Sequence, residues 1–174
     1  VTYTVPPPGR RITNATLRSM VGEWQTYSPS WSASSGTTTL GDGTLTGRYC
    51  VIGGVCRFTL RFEWGSSTTQ SVAAADWGFS LPVAPYTGDG NTWQPVEAWI
   101  QDLSGTTVRW LARGYINSSQ TVQTIVVNAD GGPIDSAEMP SQTAQGSSTT
   151  SVQPGGTTWA SGDRLNLYGA YETA

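Results

Sequence analysis

The chain has 174 residues and a formal charge of −3, with 37% hydrophobic and only 12% charged residues. It has no histidine and all nine basic residues are arginine, which excludes Ser-His and Cys-His catalysis, Schiff-base or P-loop lysine chemistry and His-ligated metals. The acidic balance argues against nucleic acid, and the longest apolar runs, Ser71–Ala75 and Leu81–Pro85, are too short to span a bilayer.

The first 22 residues differ from the rest. Val1–Val5 alternates, Pro6–Gly9 is a stiff spacer rather than a secretory leader, and Arg10-Arg11 follows. Ile12, Leu17, Met20 and Val21 recur at helical spacing behind a capping Thr13 or Asn14, which predicts one short helix ended by Gly22. A helix this short must pack on something, so residues 1–22 read as an attachment arm that docks on a neighbouring subunit or another protein.

From Glu23 onward the pattern is strands and turns, and residues 23–174 read as one all-β domain. Trp24–Trp31 alternates around Pro29. Thr44–Ile52 and Val55–Trp64 form the clearest hairpin, with Cys56, Phe58, Leu60, Phe62 and Trp64 on one face and Arg57, Thr59, Arg61 and Glu63 on the other. Trp77–Val83, Val96–Leu103, Val108–Tyr115, Val122–Asn128 and Arg164–Tyr171 are the further strands. The Asp-Gly pairs at Asp42, Asp89 and Asp130 read as turns. Eight or so short strands with this punctuation predict a jelly-roll β-sandwich, with Phe58, Leu60, Phe62, Phe79, Leu81, Leu165 and Leu167 in its core.

Cys50 and Cys56 flank Gly53-Gly54. A two-residue loop puts Cys50 opposite Arg57 and on the other face from Cys56, whereas a three-residue loop puts the two cysteines opposite each other, where a disulfide forms readily. Both registers are open at this stage. Two cysteines are too few for a zinc site, and no metal or cofactor is expected.

Eight tryptophans in one small domain invite a carbohydrate-binding reading. Six of them lie in strands, where packing is the commoner role; Trp93 and Trp159 lie in polar stretches. Tyr86–Gln94, with Asp89, Asn91 and Trp93, and the Ser/Thr/Gln/Gly-rich loop Asp135–Trp159 are therefore the candidate ligand contacts, for a neutral glycan. A hydrolase would need a carboxylate pair from Glu63, Asp76, Glu97 and Asp102, and nothing in their spacing selects two of them. Apolar residues on both faces of Val108–Tyr115, Leu111 against Val108, Trp110 and Ala112, exceed what one sandwich can bury. The excess predicts a subunit interface, with Leu167, Tyr168 and Tyr171 of the closing strand as its candidates.

The order Trp24–Ala33, Thr39–Tyr49, Ile52-Gly53, Phe58–Trp64, Trp77–Val83 and, much later, Gly162–Glu172 resembles the C-terminal head domains of bacteriophage tail-fibre and minor tail proteins. These are similar in architecture to the complement-type and tumour-necrosis-factor-like jelly rolls, which assemble as tight trimers. The resemblance covers roughly residues 23–83 and 157–174; the stretch between is matched only by strand pattern. It implies a homotrimeric, non-enzymatic structural protein of the virion surface, on tail or capsid, joined to other virion proteins through residues 1–22 and able to contact a host-cell glycan. The alternatives are a glycan-binding module and a small glycan hydrolase. The Cys50/Cys56 pair departs from the pattern, which would place ordinary apolar residues there.

Overall fold

The computed structural model describes residues 9, 13–14, 21–33, 36–71, 77–86, 88, 94–103, 108–116, 121–126, 146–147, 150–151 and 159–174. Thirteen strands occur in them: β1 (Gln25–Tyr27), β2 (Trp31–Ala33), β3 (Thr38–Thr39), β4 (Thr44–Ile52), β5 (Val55–Glu63), β6 (Thr69–Gln70), β7 (Trp77–Ser80), β8 (Gln94–Asp102), β9 (Val108–Ile116), β10 (Thr121–Val126), β11 (Gly146–Ser147), β12 (Thr150–Ser151) and β13 (Arg164–Glu172). Nine form one antiparallel sheet in the order β1-β4-β5-β13-β8-β9-β10-β7-β2. The protein is all-β, as its Thr, Trp and Tyr content and turn spacing predict.

The sheet is rolled. Its two edge strands, β1 and β2, are joined by only Ser28, Pro29 and Ser30, so the edges must lie near each other. Aromatic rings meet across the interior: Phe62 of β5 lies 5.9 Å from Phe79 of β7, and Trp31 of β2 lies 5.0 Å from Phe62, between ring centroids. The inner face is built in register. Phe62, Leu165 and Ile100 form one row, and Leu60, Leu167 and Ala98 the next. Phe58, Gly169 and Val96 form a third, in which a Cβ on Gly169 would stand 2.7 Å from the Phe58 ring. Of the predicted core, Phe58, Leu60, Phe62, Phe79, Leu165 and Leu167 are buried, while Leu81 is half-buried against it.

One end of the roll is closed by Trp31, Trp64, Trp77 and Trp159 packed on Phe62. Trp77 donates to Gln70 Oε1. Asp163 fastens this end: its Oδ1 accepts from Leu103 N–H and its Oδ2 from Ala160 N–H, each at 2.8 Å, while its carbonyl accepts from Trp64 N–H. At the opposite end Tyr171 donates its hydroxyl to the Val83 carbonyl at 2.8 Å.

The stretch 135–159 contains a two-stranded ladder, β11 with β12, where the sequence reading had only a loop. The short β3–β6 ladder was also not foreseen; two-residue strands leave no periodicity to read. Most of the expected helix 13–21 lies outside the described residues. Gly22 has φ of +75°, the left-handed conformation that the reading of it as a helix terminator requires.

Candidate functional site

The hairpin β4–β5 turns at Gly53 and Gly54, with φ of +57° and +84°, and pairs Ile52 with Val55. Two left-handed glycines make the tight two-residue turn whose twist suits a hairpin. The register that follows puts Cys50 opposite Arg57, so Cys50 and Cys56 point to opposite faces and both are free thiols. The candidate disulfide is thereby corrected: one residue of register decides it. Burial pushes the Cys56 thiol above its usual range.

The same register fixes the outer face of β4, β5, β13, β8 and β9. Its rows read Glu63, Arg164, Gln101, Arg109; then Arg61, Asn166, Trp99, Leu111; then Thr59, Tyr168, Glu97, Arg113. Tyr168 is 48% and Leu111 64% exposed, with half-buried Trp99 between their strands. An aromatic and aliphatic centre thus stands open on the best-paired part of the sheet. Arginines surround it. Glu63 holds Arg61 at 2.6 Å and Arg164 at 3.0 Å, and these contacts, Arg61 first, lower its carboxyl from its usual range. Arg48 covers the half-exposed Trp24 ring at 5.6 Å from its centroid. The side chains of Arg57, Arg109 and Arg113 are exposed and make no hydrogen bond or ion pair among the described residues.

Two of the three candidate interface residues need correction. Leu167 is 0% and Tyr171 2% exposed, because odd positions of β13 face the interior of the roll; only Tyr168, on the even phase, is on the surface. Trp159 is also corrected as a ligand contact. It is 4% exposed and stacks on Trp64 at 5.9 Å, so neither ring face is open to a sugar. Trp93, Asn91 and Asp89 lie outside the described residues.

The described residues that flank the first candidate loop, Tyr86 and Gln94, lie at one end of the roll. Tyr86 N–H donates to Glu172 and Gln94 Oε1 accepts from Glu172, beside the Gly53-Gly54 turn, where Gly22 packs on Ile52. Val126 pairs with Ala112 in the middle of β9 and Trp159 sits with Trp64 at the far end, while most of the stretch between them lies outside the described residues.

The described acids do not converge. Glu63 and Glu97 are separated by two strands and by four residues of register, roughly 16 Å of backbone. Asp102 falls on the inner phase of β8 and is buried, and Asp76 lies outside the described residues. Among the described residues no group of three His, Cys, Asp or Glu side chains is placed to hold a metal ion, and no helix is long and apolar enough to cross a membrane. Compared with protein families, curated proteins and solved structures, the chain matches none.

The sequence reading missed Trp99 and the arginine frame. The signal was available in phase: Trp99 alternates with Val96, Ala98 and Ile100 and belongs with Glu97 and Gln101. Counting it as one more core tryptophan hid that.

Proposed function

We propose that this chain is a structural head domain of a bacteriophage virion surface, on a tail fibre, tail tip or capsid, and that it works as a homotrimer. The observation that carries the reading is the open Leu111–Trp99–Tyr168 strip at the middle of the sheet. A large exposed apolar strip on a fully hydrogen-bonded sheet is what a subunit contact needs and what a monomer avoids. The jelly-roll architecture belongs to the same proposal. β8, β9 and β10 form a meander, and β7, which precedes them in the chain, lies beside β10; read backwards along the chain this is a Greek key, the unit from which jelly rolls are built. The arm of residues 1–22 joins the domain to other virion proteins, and the far end of the roll is left to meet a host-cell glycan.

Mass in solution tests it. The full chain should run as three copies at micromolar concentration, and Leu111→Asp should run as a folded monomer with unchanged near-ultraviolet dichroism. A parent chain that stays monomeric at that concentration overturns the proposal. A glycan-binding module working alone would instead be monomeric and lose ligand, not mass, on Tyr168→Ala.

A further inference from the structure

The outer face of the sheet divides into two halves of different chemistry. Around Leu111, Trp99 and Tyr168 its floor is apolar, and the subunit contact proposed above uses it. Toward the β1 edge the floor is threonine: Thr44 and Thr46 of β4, Thr59 of β5 and Thr26 of β1 share the outer phase. Arg48, Arg57 and Arg61 stand on this second half, centred on one residue. Arg48 is directly opposite half-buried Thr59 across the β4–β5 ladder, and Arg57 and Arg61 flank Thr59 on the same face of β5. Residues two apart on one strand lie about 7 Å from each other, and diagonal neighbours across a ladder about 7–8 Å, within reach of long side chains. All three guanidinium groups can therefore serve one point above Thr59.

Little within the chain offsets their charge. Arg61 has a partner, Glu63, which it shares with Arg164. Arg48 lies 5.6 Å from the centroid of the half-exposed Trp24 ring. The side chains of Arg48 and Arg57 make no hydrogen bond or ion pair among the described residues, and Glu172, diagonal to Arg57, does not pair with it. Like charges gathered on one sheet face repel, and a fold carries such a conflict where an occupant relieves it. Arg109 and Arg113 flank Leu111 at the same spacing on β9, but there the centre is apolar. Around Thr59 the centre is a hydroxyl.

We propose that Arg48, Arg57 and Arg61, with Thr59 between them and Trp24 at their edge, bind a phosphate or sulfate ester of a surface glycan. Three guanidinium groups exceed what the two oxygens of a carboxylate take up in forked pairs, whereas a tetrahedral ester presents three terminal oxygens to them. Trp24 gives the sugar an apolar platform beside the anion, and Thr26 and Thr46 give it hydroxyls. The expectation of a neutral glycan came from the net charge of −3, which does not describe this face. The site lies within a single chain and does not rest on the trimer reading.

Titration calorimetry on the full chain at about 0.05 M salt tests it, where surface charges are little screened. The probes are glucose 6-phosphate, glucose 6-sulfate, inorganic phosphate and glucose. Both esters should bind once per chain, at least about 10-fold more tightly than inorganic phosphate or glucose. R48Q and R57Q should each weaken the esters about 10-fold, the loss of one charge-assisted bond, without shifting the melting transition, since both side chains are exposed. Trp24→Ala should bring the esters down to the level of inorganic phosphate, and R109Q should change nothing. Esters that bind no better than glucose, or as well to R57Q as to the parent, overturn the site. Equal losses from R57Q and R109Q would show a diffuse cationic face and overturn it too. Ester binding that Trp24→Ala leaves intact overturns the sugar platform. None of these outcomes depends on the mass of the particle, so the site and the trimer proposal stand or fall separately.

Discussion

Asp163 shows how much one side chain organises. It is fully buried, and its two oxygens take the backbone donors of Leu103 and Ala160, which have no other acceptor among the described residues. It thereby ties β8, the approach to β13 and, through its carbonyl, Trp64 at the end of β5. A carboxylate is used because two donors arrive from different directions and each charge-assisted bond contributes about 1.5–3 kcal/mol. Asp163→Ala, which orphans both donors, is expected to lower unfolding free energy by about 2–4 kcal/mol, and Asp163→Asn, which keeps one acceptor, by about half that. Denaturant midpoints measure it, and an alanine variant as stable as the parent would show that Asp163 ties nothing. The opposite case is Tyr27, whose ring lies over Gly47 while its buried hydroxyl has no hydrogen-bond partner among the described residues. There the ring supplies the packing and the oxygen contributes nothing to it.

At the scale of elements, what could be read beforehand depended on length. The nine-residue β4, β5 and β13 give enough alternation to show strand, face and approximate ends, and β8 and β9 were misplaced only by one or two residues. Register within the hairpin was not legible, because Gly53-Gly54 permits more than one loop length, and with it went the fate of Cys50 and Cys56. The outer-face strip was half legible. Leu111 stood out as apolar on the wrong phase, whereas Trp99 meets Tyr168, Arg61 and Arg164 only after β13 inserts between β5 and β8, a pairing that no local pattern encodes. The turn at Asp42-Gly43 was predicted as a turn, but not its partner. Asp42 accepts from the backbone N–H of Ser67 and from the hydroxyls of Ser66 and Ser67, each at 2.7 Å, and so clasps the turn before β4 to the one after β5. These bonds, the backbone one foremost, hold its carboxyl well below the usual value of about 3.9. The unfolded chain takes up this proton before the folded one does. The clasp is therefore fully stabilising above about pH 4 and is lost as pH falls toward the folded value. Asp42 is exposed, so solvent limits the effect. Melting temperature should fall on acidification from about pH 5 to about pH 2.5 more steeply in the parent than in Asp42→Asn. Parallel slopes would mean the clasp contributes nothing.

For the whole molecule, the arrangement of the ends gives the proposed assembly a direction. The chain enters over Ile52 at Gly22, where a Cβ would strike the Ile52 side chain, and the Gly53-Gly54 turn, Ala84–Tyr86 and Glu172–Ala174 gather at the same end. Thr173 donates to the Gly54 carbonyl and Ala174 to that of Ala84. The opposite end carries the Asp42 clasp and the tryptophan cluster. Residues 1–22 carry three arginines and no acid, a charge that suits an acidic partner if they are the attachment arm proposed above. The proposed arm and subunit contacts are separable because, among the described residues, the fully buried hydrophobic side chains begin at Cys50 and the partly buried ones packed on them begin at Trp31. Removing residues 1–20 should therefore leave a chain that melts within a few degrees of the parent and still assembles with itself, but that no longer joins the particle when supplied in place of it. Retaining Val21 and Gly22 keeps the cover over Ile52 and Cys50 intact, so a loss of folding could not be ascribed to that exposed seam. If the shortened chain unfolds, residues 1–20 belong to the core and not to an arm. If it folds but no longer forms trimers, the arm, and not the Leu111–Trp99–Tyr168 strip, holds the copies together.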